Sequence, residues 1–150
     1  MAQTGTAATR LVVLRGNSGS GKSTVATLLR DRIGRGVAWV EQDYIRRILL
    51  REHDRPDATN IGLLGHTVRY ALDAGYHVIL EGILNSGRYA AMLTELTADH
   101  RGTTGHYYLD VPLRKPFGDT RVEHNETPSR LTTCASGLTH STCCHHLISG

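Results

Sequence analysis

The chain has 150 residues, a net charge of +3 and no apolar run long enough to span a bilayer, so it reads as one globular domain and not as a membrane protein. Its 15 Arg and 2 Lys are scattered among acids, which speaks against long-strand nucleic-acid binding, and its 3 Cys fall in the last 17 residues and give no disulfide framework. Residues 1–10 are small and polar, lack the apolar core of a signal peptide, and read as a disordered lead-in to a cytoplasmic protein. Leu11–Arg15 then forms an apolar run expected to be a buried strand. A glycine-rich stretch follows, and Val25, Leu28, Leu29 and Ile33 share one face of a helix that Gly34 and Gly36 stop. Val37–Val40 is a second strand, ending in Glu41, Gln42 and Asp43. Ile45, Ile48 and Leu49 mark a helix that runs to about His53, and a loop spans Asp54–Asp57. Ile61, Leu64, Val68 and Leu72 give a further helical face stopped at Gly75, and His77–Gly82 is a third strand closing on the acid Glu81. Tyr89, Met92, Leu93 and Leu96 mark another helix, and His106–Val111 a fourth strand. Strands alternating with helices predict a parallel α/β sheet over residues 11–113.

The glycine-rich stretch carries the most specific chemistry. Gly16, Asn17, Ser18, Gly19, Ser20, Gly21, Lys22 and Ser23 spell G-x-x-x-x-G-K-[ST], a P-loop, between a strand and a helix as that motif requires. Its glycines let successive backbone N–H groups turn inward at a helix N-terminus and form an anion nest. Lys22, the only Lys before position 115, is placed to reach the β- and γ-phosphates of ATP, and the Ser23 hydroxyl to ligate Mg²⁺; Thr24 completes the nucleotide-binding set. In a parallel sheet ligands sit beyond the carboxyl ends of the strands, where this loop, Asp43 and Glu81 all fall. Glu81 is expected to hold the Mg²⁺ shell through water; the alternative is a loop carboxylate. Asp43 and Arg46, three apart, share a helix face. Asp43 can accept the proton of an attacking hydroxyl, and Arg46 can clamp an acidic or phosphorylated substrate. The alternative is an N-cap Asp beside a solvated Arg, which is also the reading of Arg47. Arg88 is a second candidate substrate contact or a solvated first-turn residue. His53, His66, His77, His100 and His106 show no mutual ligand spacing.

With these residues in place, the chain resembles the small P-loop kinases grouped with zeta toxins, polynucleotide 5′-kinase and chloramphenicol phosphotransferase. The resemblance covers roughly residues 10–113. It rests on Gly16–Ser23, Asp43–Arg46, Glu81–Leu84 with Arg88 and Tyr89, and Tyr107–Pro112. It implies a P-loop three-layer sandwich with sheet order 2-3-1-4-5. It also implies phosphoryl transfer from Mg·ATP to a hydroxyl of a small-molecule or nucleotide-like substrate, with Lys22, Asp43 and Arg46 in catalysis. A polynucleotide 5′-hydroxyl kinase and an ATP-binding but inactive form are the alternatives. A GTPase is disfavoured, since no N-K-x-D motif occurs.

The family pattern next has an arginine-bearing lid helix and a fifth strand, and neither is recognisable after Leu113. Residues 114–150 are rich in Thr, Ser, His and Cys and lack helical or strand periodicity. The Arg-heavy composition suggests G+C-rich coding. Back-translated accordingly and read from each codon's third base, Arg114–Thr120 becomes E-A-L-R-R-H-A, like the family's lid helix. Leu131–Cys144 becomes approximately D-D-M-R-E-W-x-D-P-L-D-L-L-P, like the segment after it. The tail is therefore read as irregular and out of frame. Zinc binding by Cys134, His140, Cys143, Cys144, His145 and His146 is disfavoured, because adjacent Cys-Cys and His-His pairs suit tetrahedral ligation poorly.

Overall fold

The four apolar runs pair side by side as parallel strands, β1 (Arg10–Gly16), β2 (Val37–Glu41), β3 (His77–Gly82) and β4 (Thr103–Leu109), in the order β2-β3-β1-β4. This is the expected order for the first four strands. The computed structural model describes residues 3–110. The expected loss of the fifth strand and lid, the irregular tail and the disfavoured zinc cluster concern residues 114–150, which lie outside the described residues. Both faces of the sheet are apolar, and successive residues alternate between them. In β1, Leu11 and Val13 face one side and Leu14 the other, and Leu14 lies level with Glu81 of β3 and Tyr107 of β4.

Helices α1 (Lys22–Ile33), α2 (Thr59–Asp73) and α3 (Ser86–Asp99) cover the two faces unequally. On one side Leu11, Val13, Val78 and Leu80 pack against Leu64, Val68 and Leu72 of α2 and Tyr89, Leu93 and Leu96 of α3. This is the face that the 3.6-residue spacing predicted for both helices. On the other side the smaller cluster Leu14, Val37, Ile79 and Ala26 lies under α1. Three layers result, as expected for an α/β sandwich. The predicted face of α1 is corrected: Lys22 and Ala26 point inward, while Val25, Leu28 and Ile33 are exposed. The P-loop dictates the rotation, because Lys22 at the first turn must lie against the loop that it serves.

Two more expectations are corrected. The helix after β2 is a short π-helix, Tyr44–Leu49, closed by bonds such as Leu50 N to Ile45 O, 3.0 Å. Its wider turn buries only Ile45, and Ile48 and Leu49 are exposed. The N-terminal lead-in is not a loose end. Thr4 bridges to His100, its hydroxyl donates to Asp73 Oδ1 at 2.8 Å, and Gly5 N donates to the same oxygen at 2.6 Å. Thr9 Oγ1 lies 3.0 Å from His100 Nε2. Small polar side chains fasten this strap through hydrogen bonds, a signal that apolar patterning does not carry.

Candidate active site

Gly19 and Gly21 have φ of +75° and +85°, a left-handed conformation open to glycine at little cost, and Gly21 leads directly into α1. Lys22 is buried and donates through Nζ to Asn17 O at 2.7 Å, with Ser20 Oγ at 3.4 Å. Its ammonium is thereby held inside the loop rather than in solvent. Ser23 Oγ donates to Glu81 Oε1 at 2.7 Å, and the second oxygen of Glu81 accepts from Trp39 Nε1 at 3.1 Å. The residues predicted for the nest, for the phosphate contact and for the metal are thus neighbours.

A cleft of about 200 Å³ opens beside them, lined by Ser18, Gly19, Lys22, Ser23, Asp43 and Glu81 together with Glu41, Gly82 and Ile83. Asp43 enters it from the end of β2. It is half exposed and caps no backbone amide through its side chain. Its Oδ1 accepts from Arg46 Nη2 at 2.8 Å, with Arg47 Nε at 3.6 Å. Both arginine contacts fall on Oδ1. Arg46 is largely buried and tied to this pair, and Arg47 is on the surface as expected. Arg88 stands apart from the cleft and pairs with Asp54. The structure therefore brings Lys22, Ser23, Asp43 and Glu81 together and leaves Arg88 out.

Sequence reasoning missed Glu41. It lies level with Glu81 across the β2–β3 pair, and burial together with the charges of Glu81 and Asp43 pushes its carboxyl above the ordinary carboxylate range. The signal was present, since Glu41 and Asp43 both end β2. It also missed the polar net behind the cleft. Gln42 Nε2 donates to Tyr89 Oη at 2.9 Å, which reaches Asn60 Oδ1 at 2.9 Å and Asp54 Oδ1 at 3.1 Å. A buried tyrosine hydroxyl needs such partners, so Tyr89 on an apolar helix face was the available hint. Gly82 lets this net close: a Cβ there would sit 2.6 Å from Gln42 Cβ.

A protein-family model, that of the AAA domain, matches residues 11–134. The chain belongs to this family. The AAA-domain match contains the whole P-loop, Asp43 and Glu81, and runs past Leu113 into the segment that reads as out of frame. Among solved structures the chain is similar to the Mycobacterium tuberculosis APS kinase CysC, with 25% identity and TM-score 0.57 over 77% of this chain and 82% of that one. A second structure of that kinase, in complex with AMPPNP and APS, gives 27% identity and TM-score 0.56 over 74% and 65%. The Pnkp1/Rnl/Hen1 complex gives 18% identity and TM-score 0.53, over 79% of this chain and 43% of that one, a likeness of fold alone. The chain thus spans less than two thirds of the last two. No protein of curated function matches the sequence. The fold is that of the P-loop kinases. Among the described residues, no helix is long and apolar enough to cross a membrane.

Proposed function

We propose that this AAA-domain chain is an ATP-dependent phosphotransferase that moves the γ-phosphoryl group of Mg·ATP to a hydroxyl of a small-molecule or nucleotide-like substrate, in the cytoplasm. The observation that carries this reading is the convergence of Lys22, Ser23, Glu81 and Asp43 on one cleft. The acceptor oxygen forms a bond to the γ-phosphorus as the bond to the ADP oxygen breaks, and the hydroxyl proton passes to Asp43. Oδ2 of Asp43 suits that role, since both arginine contacts fall on Oδ1. Lys22 and the nest N–H groups stabilise charge on the transferring phosphoryl.

The donors also fit Mg²⁺. Ser23 and Glu81 offer hard oxygens 2.7 Å apart, and Glu41, Asp43 and Glu81 set three carboxylates against the single lysine of the cleft. Bound there, Mg²⁺ would neutralise phosphate charge, with Ser23 and Glu81 holding it. The M. tuberculosis kinase solved with AMPPNP and APS supports nucleotide binding by this fold. Arg46 is proposed as the substrate-side cation, since it stands beside Asp43, whereas Arg88 is paired with Asp54 away from the cleft. Calorimetric titration with Mg·ATP tests the reading. Lys22→Ala should abolish measurable binding, and unchanged affinity in that variant would refute it.

A further inference from the structure

Glu81 is held at both carboxylate oxygens by neutral donors from two different elements. Oε1 accepts from Ser23 on α1, and Oε2 accepts from the indole N–H of Trp39 on β2. Trp39 lies level with Ile79, two residues before Glu81 on the same sheet face. Its ring packs on the cluster of Leu14, Val37, Ile79 and Ala26, so the N–H is presented from a fixed position. Glu41 lies level with Glu81, and Asp43 lines the same cleft. Like charge from two directions would swing an untethered Glu81 away.

We propose that Trp39 is a positioning residue for Glu81: its indole N–H anchors one carboxylate oxygen so that the other stays aimed at Ser23 and at the divalent cation that accompanies the nucleotide phosphates. The assignment rests on the phosphotransferase reading and adds a residue that touches neither nucleotide nor acceptor. The Oε2 anchor leaves Oε1 as the exchangeable oxygen. Outer partners of this kind commonly contribute ten- to a hundredfold to metal affinity, roughly tenfold at the low end.

Calorimetry with ATP in Mg²⁺ and with ATP in EDTA separates the metal-dependent part of binding. Trp39→Phe keeps an aromatic side chain on the apolar cluster and removes the donor. It should lose about tenfold of the Mg²⁺-dependent gain in affinity and leave binding in EDTA unchanged. In a Glu81→Gln background the same substitution should cost nothing further, whereas a purely structural role would give additive losses. Trp39 is the chain's one tryptophan, so its emission in the unsubstituted protein is a second readout that needs no mutant to fold. Adding Mg²⁺ to the ADP-bound protein should shift it. A full Mg²⁺ gain in Trp39→Phe, additive losses, or an unresponsive emission would each overturn the proposal while nucleotide binding stands. Absence of ATP binding in the unsubstituted protein would instead overturn the phosphotransferase reading and this proposal together.

Discussion

Replacing Tyr89 by Phe removes a single oxygen from a buried hydrogen-bond hub. Tyr89 is fully buried, and its hydroxyl accepts from Gln42 and points its one proton between Asn60 and Asp54. Asn60 keeps Glu52 through Nδ2 and its backbone N–H, and Asp54 keeps Arg88. Gln42 keeps nothing, because its Oε1 already lacks a partner. One buried donor is therefore left unsatisfied outright and one acceptor partly so, which costs about 2–4 kcal/mol in all. For a domain of this size that lowers Tm by roughly 10 °C or more. Urea unfolding at neutral pH gives the free energy directly, and a loss below about 0.5 kcal/mol, the range of a neutral surface change, would refute the reasoning. The same net predicts an alkaline limb. Burial and the neighbouring Asp54 carboxylate push the Tyr89 phenol up to about 12. The unfolded chain releases that proton near pH 10 while the native state retains it, so this stabilisation is complete below pH 10 and is lost between about 10 and 12. Tyr89→Phe should remove that component of the decline.

Asp43→Asn, in a protein with the alternative tail frame restored, should lower turnover about a hundredfold and spare ATP affinity; equal losses in both would make Asp43 a structural residue. Burial holds the His100 imidazole below its ordinary range, so the unfolded state binds the extra proton first. Stability of the N-terminal strap is therefore present above about pH 6.5 and falls as pH drops below it, and protection of the Gly5 amide, relative to its intrinsic exchange rate at each pH, should fall there and not in His100→Gln. The 150-residue chain should be poorly soluble, and the frame-restored chain soluble and better folded. Strong exchange protection over residues 114–150 in a soluble monomer would instead make the present tail part of the fold.

Legibility followed the kind of force involved. Strands were readable as short continuous apolar runs, and α2 and α3 because burial on a period of 3.6 leaves a pattern in the residues themselves, with Leu64, Val68, Leu72, Tyr89, Leu93 and Leu96 all pointing inward. The P-loop was readable because a nest needs glycine where few other residues fit. What escaped was set by polar contacts between distant positions. The strap depends on Thr4 meeting Asp73 and Thr9 meeting His100, and nothing in the residue string announces such pairs. Arg88 beside an acidic strand end looked like a substrate contact, and an acid 34 positions earlier, Asp54, claims it. The π-helix escaped for a related reason. Its wide turn turns Ile48 and Leu49 outward, against a spacing that suited an ordinary helix.

The apolar face that failed on α1 and the exposure of β4 both leave apolar side chains uncovered. Val25, Leu28 and Ile33 project outward from α1, and Tyr107, level with Leu14 on the α1 face of the sheet, is exposed on β4. Among the described residues β4 pairs only with β1, so its other edge is the open end of the sheet. An uncovered edge of this kind invites association. The parallel crossover rule fixes where a fifth strand would come from: a helix following β4 and returning to its free edge. The poor solubility expected of the 150-residue chain therefore rests on this open β4 edge, with Tyr107 and Tyr108 exposed along it.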